Sequence, residues 1–323
     1  GACPVRGHSN VQGNRTVGIN EQSPTDFLDA LDKHYTFTVP RAPGLNTVDS
    51  IHAMLAGRAK VFIALGGNFA AAAPDTELTY QALKQCELTV HISTKLNRSH
   101  VTTGKHALIL PCLGRTEIDR QASGEQIITV EDSMSMVHSS RGANAPASPL
   151  LRSETSIVAG MAQAALGNKH VDWLKLADNY ALIRDDISKV IDGFENFNER
   201  IKSPRGFYLQ NDATLRLWHT ATNKAGFSDK ALPNELRHEK DRNSGNIHLT
   251  LQTLRSHDQY NTTIYGMDDR YRGIFGERDV LFMNPKDIAA LGFKEGDRVD
   301  ITTVLDCPVD NTEPPATGHN LKR

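Results

Sequence analysis

A chain of 323 residues carries 36 Lys plus Arg against 38 Asp plus Glu, a formal charge of −2, so it lacks the basic excess with which a nucleic-acid-binding protein meets its partner. Mean hydropathy is −0.42, and no apolar run approaches the roughly 20 residues of a membrane helix; a membrane-spanning chain is excluded on that ground, and no secretory signal opens the sequence. The length suffices for two ordinary domains.

Gly1 to about Ile19 is small, polar and punctuated by glycine, which predicts a loop. Ser23 and Pro24 predict a helix to Tyr35, with Ser23 as N-cap and Pro24 in the first helical position. Thr47 is expected to cap a second helix, VDSIHAMLAG, ending at Gly57. Lys60 to Leu65 (KVFIAL) is a short apolar run of the kind a buried parallel strand shows, and it stops at Gly66-Gly67-Asn68. Helical spacing follows over Asp75 to Cys86, then strands over Glu87 to Ser93, His106 to Leu110 and Gln126 to Glu131. Strand, tight turn, helix and strand make a βαβ unit, and helices at Ser153 to Leu166 and Val171 to Ile191 would cover the sheet. The expected class is α/β Rossmann-like, a doubly wound and mostly parallel sheet over residues 1–235. Around Lys202 to Asn246 the pattern loosens into a linker. Short alternating pieces then appear, IHLTLQTL, DVLFMN and RVDITTVL, with a helix at Pro285 to Leu291; they predict the start of a partial β-barrel domain over 236–305. Residues 306–323 form a polar, irregular tail. The opening GACPVRGH lacks an initiator Met, and the chain reads as a piece of a longer protein.

Several stretches are chemically suggestive. Gly66-Gly67-Asn68 sits at the carboxyl end of a strand, where open α/β sheets bind ligands. Glycines there let backbone N–H groups approach a phosphate, and an Asn amide offers a donor and an acceptor; the simpler reading is a plain turn. Arg6 to Gly13 packs a cation, an imidazole and amides between glycines, and from composition a surface loop is the better reading. Leu254 to Tyr265 places Arg255, Ser256, His257, Asp258, Gln259, Tyr260, Asn261 and Thr262 in succession after an apolar segment. That is more hydrogen-bonding capacity than a turn needs, and an Arg fork suits a phosphate. Catalysis by His257 and Asp258 is disfavoured, because neighbours on an extended chain face opposite ways. Glu117, Asp119, Asp132 and Glu154 are ordinary capping or solvated acids by position. The four cysteines, Cys3, Cys86, Cys112 and Cys307, never form a CxxC pair, which speaks against a zinc ribbon or a cluster held by this chain and for a reducing compartment. No HExxH, GxSxG or Walker loop is present.

Together, CPVRGHSNVQG, the strand with GGN-FAAAAPDT, HISTKLNRSH with LILPCLGRTE, VEDSMSMVHSSRG and LRSHDQYNTTIYGMDDRYRG resemble the formate-dehydrogenase-alpha-like branch of the molybdopterin oxidoreductases, nearest to its YdeP-like subgroup. The resemblance runs to about Leu305; the last residues depart from it. It implies a catalytic subunit that holds molybdenum on two molybdopterin guanine dinucleotides (bis-MGD). This chain would supply the second Rossmann-like domain and the beginning of the C-terminal barrel. The metal ligand, the catalytic side chains and the cysteines of a 4Fe-4S cluster would lie upstream of Gly1, leaving this piece inactive by itself. By motif match the resemblance implies cofactor contacts at Asn68, at Ser93 and Thr94, at Glu154, more weakly at Glu117, and along Arg255 to Ile264; Arg6 to Gln12 match a family loop near the cofactor. Where this sequence has Ser93-Thr94 the family often has an Asp that reads guanine. The implied protein is cytoplasmic, with a small-molecule substrate and an electron-transfer partner, and with neither nucleic acid nor membrane. A nicotinamide-dependent oxidoreductase is the rival reading, disfavoured by GGN and by the lack of an acid after the second strand. A non-catalytic nucleotide-binding protein of the same fold is the other.

Overall fold

The computed structural model describes residues 10–73, 75–227, 249–257 and 266–301. The chain divides into two units, one running to Ala225 and the other beginning at Gly226. Helices α1 (Val11–Thr16), α2 (Thr25–Tyr35) and α3 (Thr47–Leu55) precede the sheet of the first unit. That sheet has three parallel strands in sequential order: β1 (Val61–Leu65), β2 (Leu88–Ser93) and β3 (His106–Pro111). The two short helices α4 (Phe69–Ala72) and α5 (Thr76–Gln85) join β1 to β2.

In a parallel ladder, opposed residues share a face. Phe62 lies opposite Thr89 and Ala64 opposite His91, while Ile63 lies opposite Val90 and Leu65 opposite Ile92. The first face packs on α3, α4 and α5 through Ile51, Met54, Ala70, Ala82, Leu83 and Cys86, with Phe62 and Phe69 against them. The second carries Val90, Ile92 and Cys112 against Ile157 and Met161 of α6 (Glu154–Leu166). β2 is thus covered on both sides: Thr89 and His91 are as buried as Val90 and Ile92, although the strand alternates apolar and polar residues. Helix starts follow their caps: the Asp75 side chain accepts from Leu78 N–H and the Ser153 side chain from Ser156 N–H.

Several expectations need correction. Pro24 itself is the N-cap of α2, and Ser23 donates its hydroxyl to the Gly18 carbonyl. Asn46, one residue before Thr47, caps α3 by accepting from Asp49 N–H. The opening polar segment contains α1, held to the body where Asn10 Oδ1 accepts from Glu131 N–H at 2.8 Å and Thr16 donates to Glu131 Oε2 at 2.5 Å. The strand expected at Gln126 to Glu131 does not join the parallel sheet. It follows a two-residue hairpin, β4 (Arg120–Gln121) with β5 (Gly124–Glu125), and as β6 (Ile128–Glu131) it pairs antiparallel with β7 (Met136–Ser140). Asp132 causes this by accepting from the N–H groups of Met134 and Met136 while Ser135 takes φ 62°, so the chain reverses within a few residues. A parallel partner would have needed a crossover of about a dozen or more.

The helix expected over Val171 to Ile191 is two, α7 (Trp173–Asp178) and α8 (Tyr180–Val190). Asn179 between them is extended, and its side chain caps α8 through Ala181 N–H. A further core joins Val137 to Phe194, Phe197, Ile201, Phe207 and Leu209 around α9 (Phe197–Arg200) and β8 (Phe207–Tyr208), before α10 (Asp212–Leu215). Its rings meet edge to face, with Phe197 and Phe207 centroids 5.4 Å apart.

In the second unit the described residues hold α11 (Pro285–Ala290), a 3₁₀ turn at Arg270–Arg272 and one isolated bridge, Asp269 with Ile274, and no β-strand. The described parts of IHLTLQTL, DVLFMN and RVDITTVL form no strand and have no ladder partners among the described residues, and Leu249, Leu251, Leu254, Phe282 and Ile301 are exposed. Alternation decides which way side chains face, but a strand also needs a neighbour's N–H and C=O groups.

Tyr180 joins three elements of the first unit. It is buried, its hydroxyl donates to Asp119 Oδ2 at 2.5 Å, and Ser153 Oγ lies 2.7 Å away. Burial, followed by the Asp119 carboxylate, pushes the phenol up to about 12. Tyr180→Phe leaves Asp119 and Ser153 short of a partner and should cost about 1–3 kcal/mol in urea unfolding. The protonated phenol is the form the fold favours. The wild type should therefore lose this contribution as pH rises from near 10.0 to about 12, and the Phe variant should not.

Candidate functional site

The three strands end level with one another. Gly66 N–H donates to Ile92 O at 2.8 Å, Cys112 N–H to Ser93 O at 3.2 Å, and Leu113 N–H to Arg152 O at 2.9 Å. These bonds bring Asn68, Ser93, Thr94 and, two residues past Arg152, Glu154 to the same carboxyl edge of the sheet. Gly66 and Gly67 both have positive φ, 69° and 72°, and a Cβ on either would meet nothing within 4 Å. The turn therefore presents bare, open backbone, the surface a diphosphate can approach.

Asn68 is aimed by its neighbours. Ser99, buried in the next loop, accepts from Ala70 N–H at 3.0 Å, so its own proton goes to Asn68 Oδ1 at 3.2 Å. That assigns the oxygen of the amide inward and leaves Nδ2 as the donor on the other side. Asn97 completes the loop by donating from Nδ2 to Gly67 O at 2.8 Å and accepting from Ser99 N–H. Ser93, by contrast, closes its own turn: its hydroxyl donates to Lys95 O at 2.8 Å. Thr94 is exposed, its methyl 3.9 Å from where a Cβ on Gly114 would stand.

Two carboxylates flank the end of β3. Glu117 accepts from Gly114 N–H at 2.5 Å and Ala147 N–H at 2.6 Å, which hold its carboxyl below the ordinary value. Its role is to fasten this loop. Glu154 keeps water contact at the first position of α6, yet the surrounding protein raises its carboxyl above the ordinary value. Burial, then Glu154, then Glu117 push the Cys112 thiol up to about 11. Cys86 and Cys112 are buried and free, and no group of three or more His, Cys, Asp or Glu among the described residues could hold a metal.

Beneath the glycine turn lie two histidines. His100 Nδ1 accepts from Asn97 N–H at 3.0 Å, and the His91 and His100 rings are 5.0 Å apart. Nε2 of each is buried without a partner among the described residues. Burial, then the neighbouring His100, holds His91 below its ordinary value.

In the second unit the motif residues are Arg255, Ser256 and His257; Asp258, Gln259, Tyr260, Asn261 and Thr262 lie outside the described residues, as do Arg6 to Ser9. Asp269, buried, accepts from His257 N–H at 3.3 Å, pairs with His257 Nδ1 at 3.1 Å and takes Arg272 Nη1 at 2.7 Å. Desolvation raises its carboxyl, and these donors, Arg272 foremost, outweigh it and hold the carboxyl low. Tyr271 stacks on His257 with centroids 4.3 Å apart. Arg278 donates to Ser256 Oγ, to His257 O at 3.1 Å and to Gly266 O at 2.5 Å. Arg255 is exposed at the head of this cluster. Beside it Gly266, Met267, Asp268, Arg270 and Phe275 line an open recess of about 470 Å³. Sequence reading missed Ser99, Asp269 and Arg278; the motifs NRSH and GMDDRYRG contain the first two, and Arg278 lies beyond Gly273, where the second motif ends.

Ser99→Ala should strand the buried Ala70 N–H and free the Asn68 amide, costing about 1–3 kcal/mol in denaturant unfolding. His91 is kept neutral by the fold, so its contribution is present above its unfolded value of 6.5 and lost as pH falls below it. His91→Phe should flatten that acid limb, read as unfolding midpoint against pH.

Residues 249–304 match the model of the Molydopterin dinucleotide binding domain. Over 302 residues the chain is 51% identical to Protein YdeP of Escherichia coli strain K12, covering 93% of this chain and 39% of that one. An uncharacterized oxidoreductase of Mycobacterium tuberculosis strain H37Rv is 51% identical over 311 residues, 94% of this chain and 38% of that one. The chain thus spans about two fifths of the length of these relatives.

Proposed function

We propose, for a chain that belongs to the molybdopterin oxidoreductases, that it forms part of the cradle of a molybdenum bis(molybdopterin guanine dinucleotide) cofactor in a formate-dehydrogenase-like enzyme. The observation that carries this reading is the location of Arg255, Ser256 and His257, with their clamps Asp269 and Arg278, inside the matched residues 249–304. The donor set fits such a group. A guanidinium and open glycine backbone suit diphosphates, an oriented amide at Asn68 suits a phosphate or pterin oxygen, and the exposed carboxyl of Glu154 suits the N–H edge of guanine. Thr94 stands beside Glu154's edge of the sheet, and Asp258 to Thr262 extend the donor run in sequence.

When bound, the cofactor would supply two-electron redox chemistry toward a small-molecule substrate. This chain's residues bind and orient the dinucleotide and supply its electrostatic surroundings. The metal ligand, a 4Fe-4S cluster and the contact with an electron-transfer partner belong, in this reading, to the share of the relatives' length that the chain does not span. The piece alone is inactive, and the whole is a cytoplasmic enzyme. Its architecture is a doubly wound Rossmann-like domain followed by a partial β-barrel domain. No described helix is long and apolar enough to cross a membrane.

The test is direct. The protein at its relatives' full length, produced with molybdate, should carry molybdenum and a pterin that fluoresces after oxidation, and acid hydrolysis should release GMP. Arg255→Ala should lower pterin occupancy by about tenfold or more, the loss expected when a charge-assisted hydrogen bond of about 1.5–3 kcal/mol is removed. Wild-type protein free of pterin and molybdenum would overturn the reading.

A further inference from the structure

Among the described residues, 249–257 have no ladder partners, and Leu249, Leu251 and Leu254 are more than half exposed. Among those residues, what holds Ser256 and His257 is side-chain chemistry from later in the chain. The Arg278 guanidinium uses all three of its nitrogens. Nη1 donates to Ser256 Oγ, Nη2 to His257 O at 3.1 Å and to Asp268 O at 3.4 Å, and Nε to Gly266 O at 2.5 Å. One planar fork thus ties the residues before 258 to those after 265. Asp269 adds a second tie by accepting the main-chain N–H of His257.

We infer that Arg278 is a positioning residue for cofactor binding, a clasp that joins the two flanks of the motif segment and so fixes Arg255 and Ser256 in binding geometry. The inference rests on the function proposed above. A rigid fork suits the task, because its donors diverge in one plane at fixed angles and reach carbonyls on separate chain segments together. A lysine ammonium carries the same charge from a single point and cannot span them. Since the described flank 249–257 leaves Leu249, Leu251 and Leu254 exposed, removing the clasp should change ligand retention far more than folding: pre-organisation lowers the ordering cost of binding.

The experiment uses the protein at full length, loaded with pterin. Wild type, Arg278→Lys and Arg278→Ala are compared for pterin remaining over time during dialysis, and for the unfolding midpoint of the pterin-free form. Arg278→Ala should lose pterin about tenfold faster, equal to about 1.4 kcal/mol, with Arg278→Lys between it and the wild type. The pterin-free midpoints should coincide. Proteolysis between Arg255 and Asp268 should quicken in the same order. Unchanged pterin retention in Arg278→Ala overturns the inference, and so does a fall in the pterin-free midpoint that parallels the loss of pterin, which would mark a purely structural residue. If Arg278→Ala does not fold, Arg278→Lys decides by the same two readings. A wild type that never carries pterin sinks the proposed function instead, before any variant is compared.

Discussion

The candidate site in the first unit depends on the register of three parallel strands. With Leu65 opposite Ile92 and Ser93 opposite Pro111, β1, β2 and β3 finish at one level, and the segments that leave them emerge along a common edge. Slipping any strand by one residue would exchange its faces. It would turn Val90 and Ile92 away from α6 and His91 out of its aromatic surroundings. Burial of β2 on both sides opposes such a slip, so the packing that stabilises the sheet also aligns the Gly66–Asn68 turn with the Cys112–Glu117 loop.

On that edge, the side chains nearest the open glycine turn act mainly on one another. Ser99, Asn97 and His100 form a short network whose outcome is the orientation of Asn68 and the anchoring of Gly67. Glu117 does the same for its loop through two backbone N–H groups. Rigid presentation of a few donors is what a dinucleotide site needs, since disorder in those donors would have to be removed at the moment of binding. Of the candidates, Asn68 and Glu154 retain binding capacity toward open space, whereas Ser93 is committed to its own turn.

The second unit reaches the same end by different means. Where the first unit positions residues with a sheet and three apolar clusters, the described part of the second relies on charged side chains against main-chain groups. Buried Asp269 and the forked Arg278 hold His257, Ser256 and Gly266 in place. Such bonds are strong individually and leave exposed apolar residues around them, so this unit's geometry is more sensitive to one substitution than a core would be.

Local chemistry made much of this molecule legible from its residues alone. KVFIAL reads as a strand because its apolar run is short and ends at turn formers, although Val61, Ile63 and Leu65 on one face of it are exposed rather than buried as expected, and Asp75 and Ser153 stand at helix starts, where their side chains satisfy first-turn N–H groups. The motif LRSHDQYNTT reads as a candidate binding segment through its density of donors. Other features required the folded chain. QIITVE has the same apolar texture in either strand direction, and only the Asp132 turn made it antiparallel. Asn179 interrupts a helical pattern because its side chain caps α8. Ser99, Asp269 and Arg278 are ordinary residues in the sequence; their partners lie 29, 12 and 22 positions away. The sequence determined where β1, β2, α2, α5 and α6 form and which family the chain resembles, because propensity, capping and motif chemistry act between near neighbours. Tertiary structure alone decided which side chains orient the site, because a hydrogen bond between distant residues exists only once the backbone has brought them within reach.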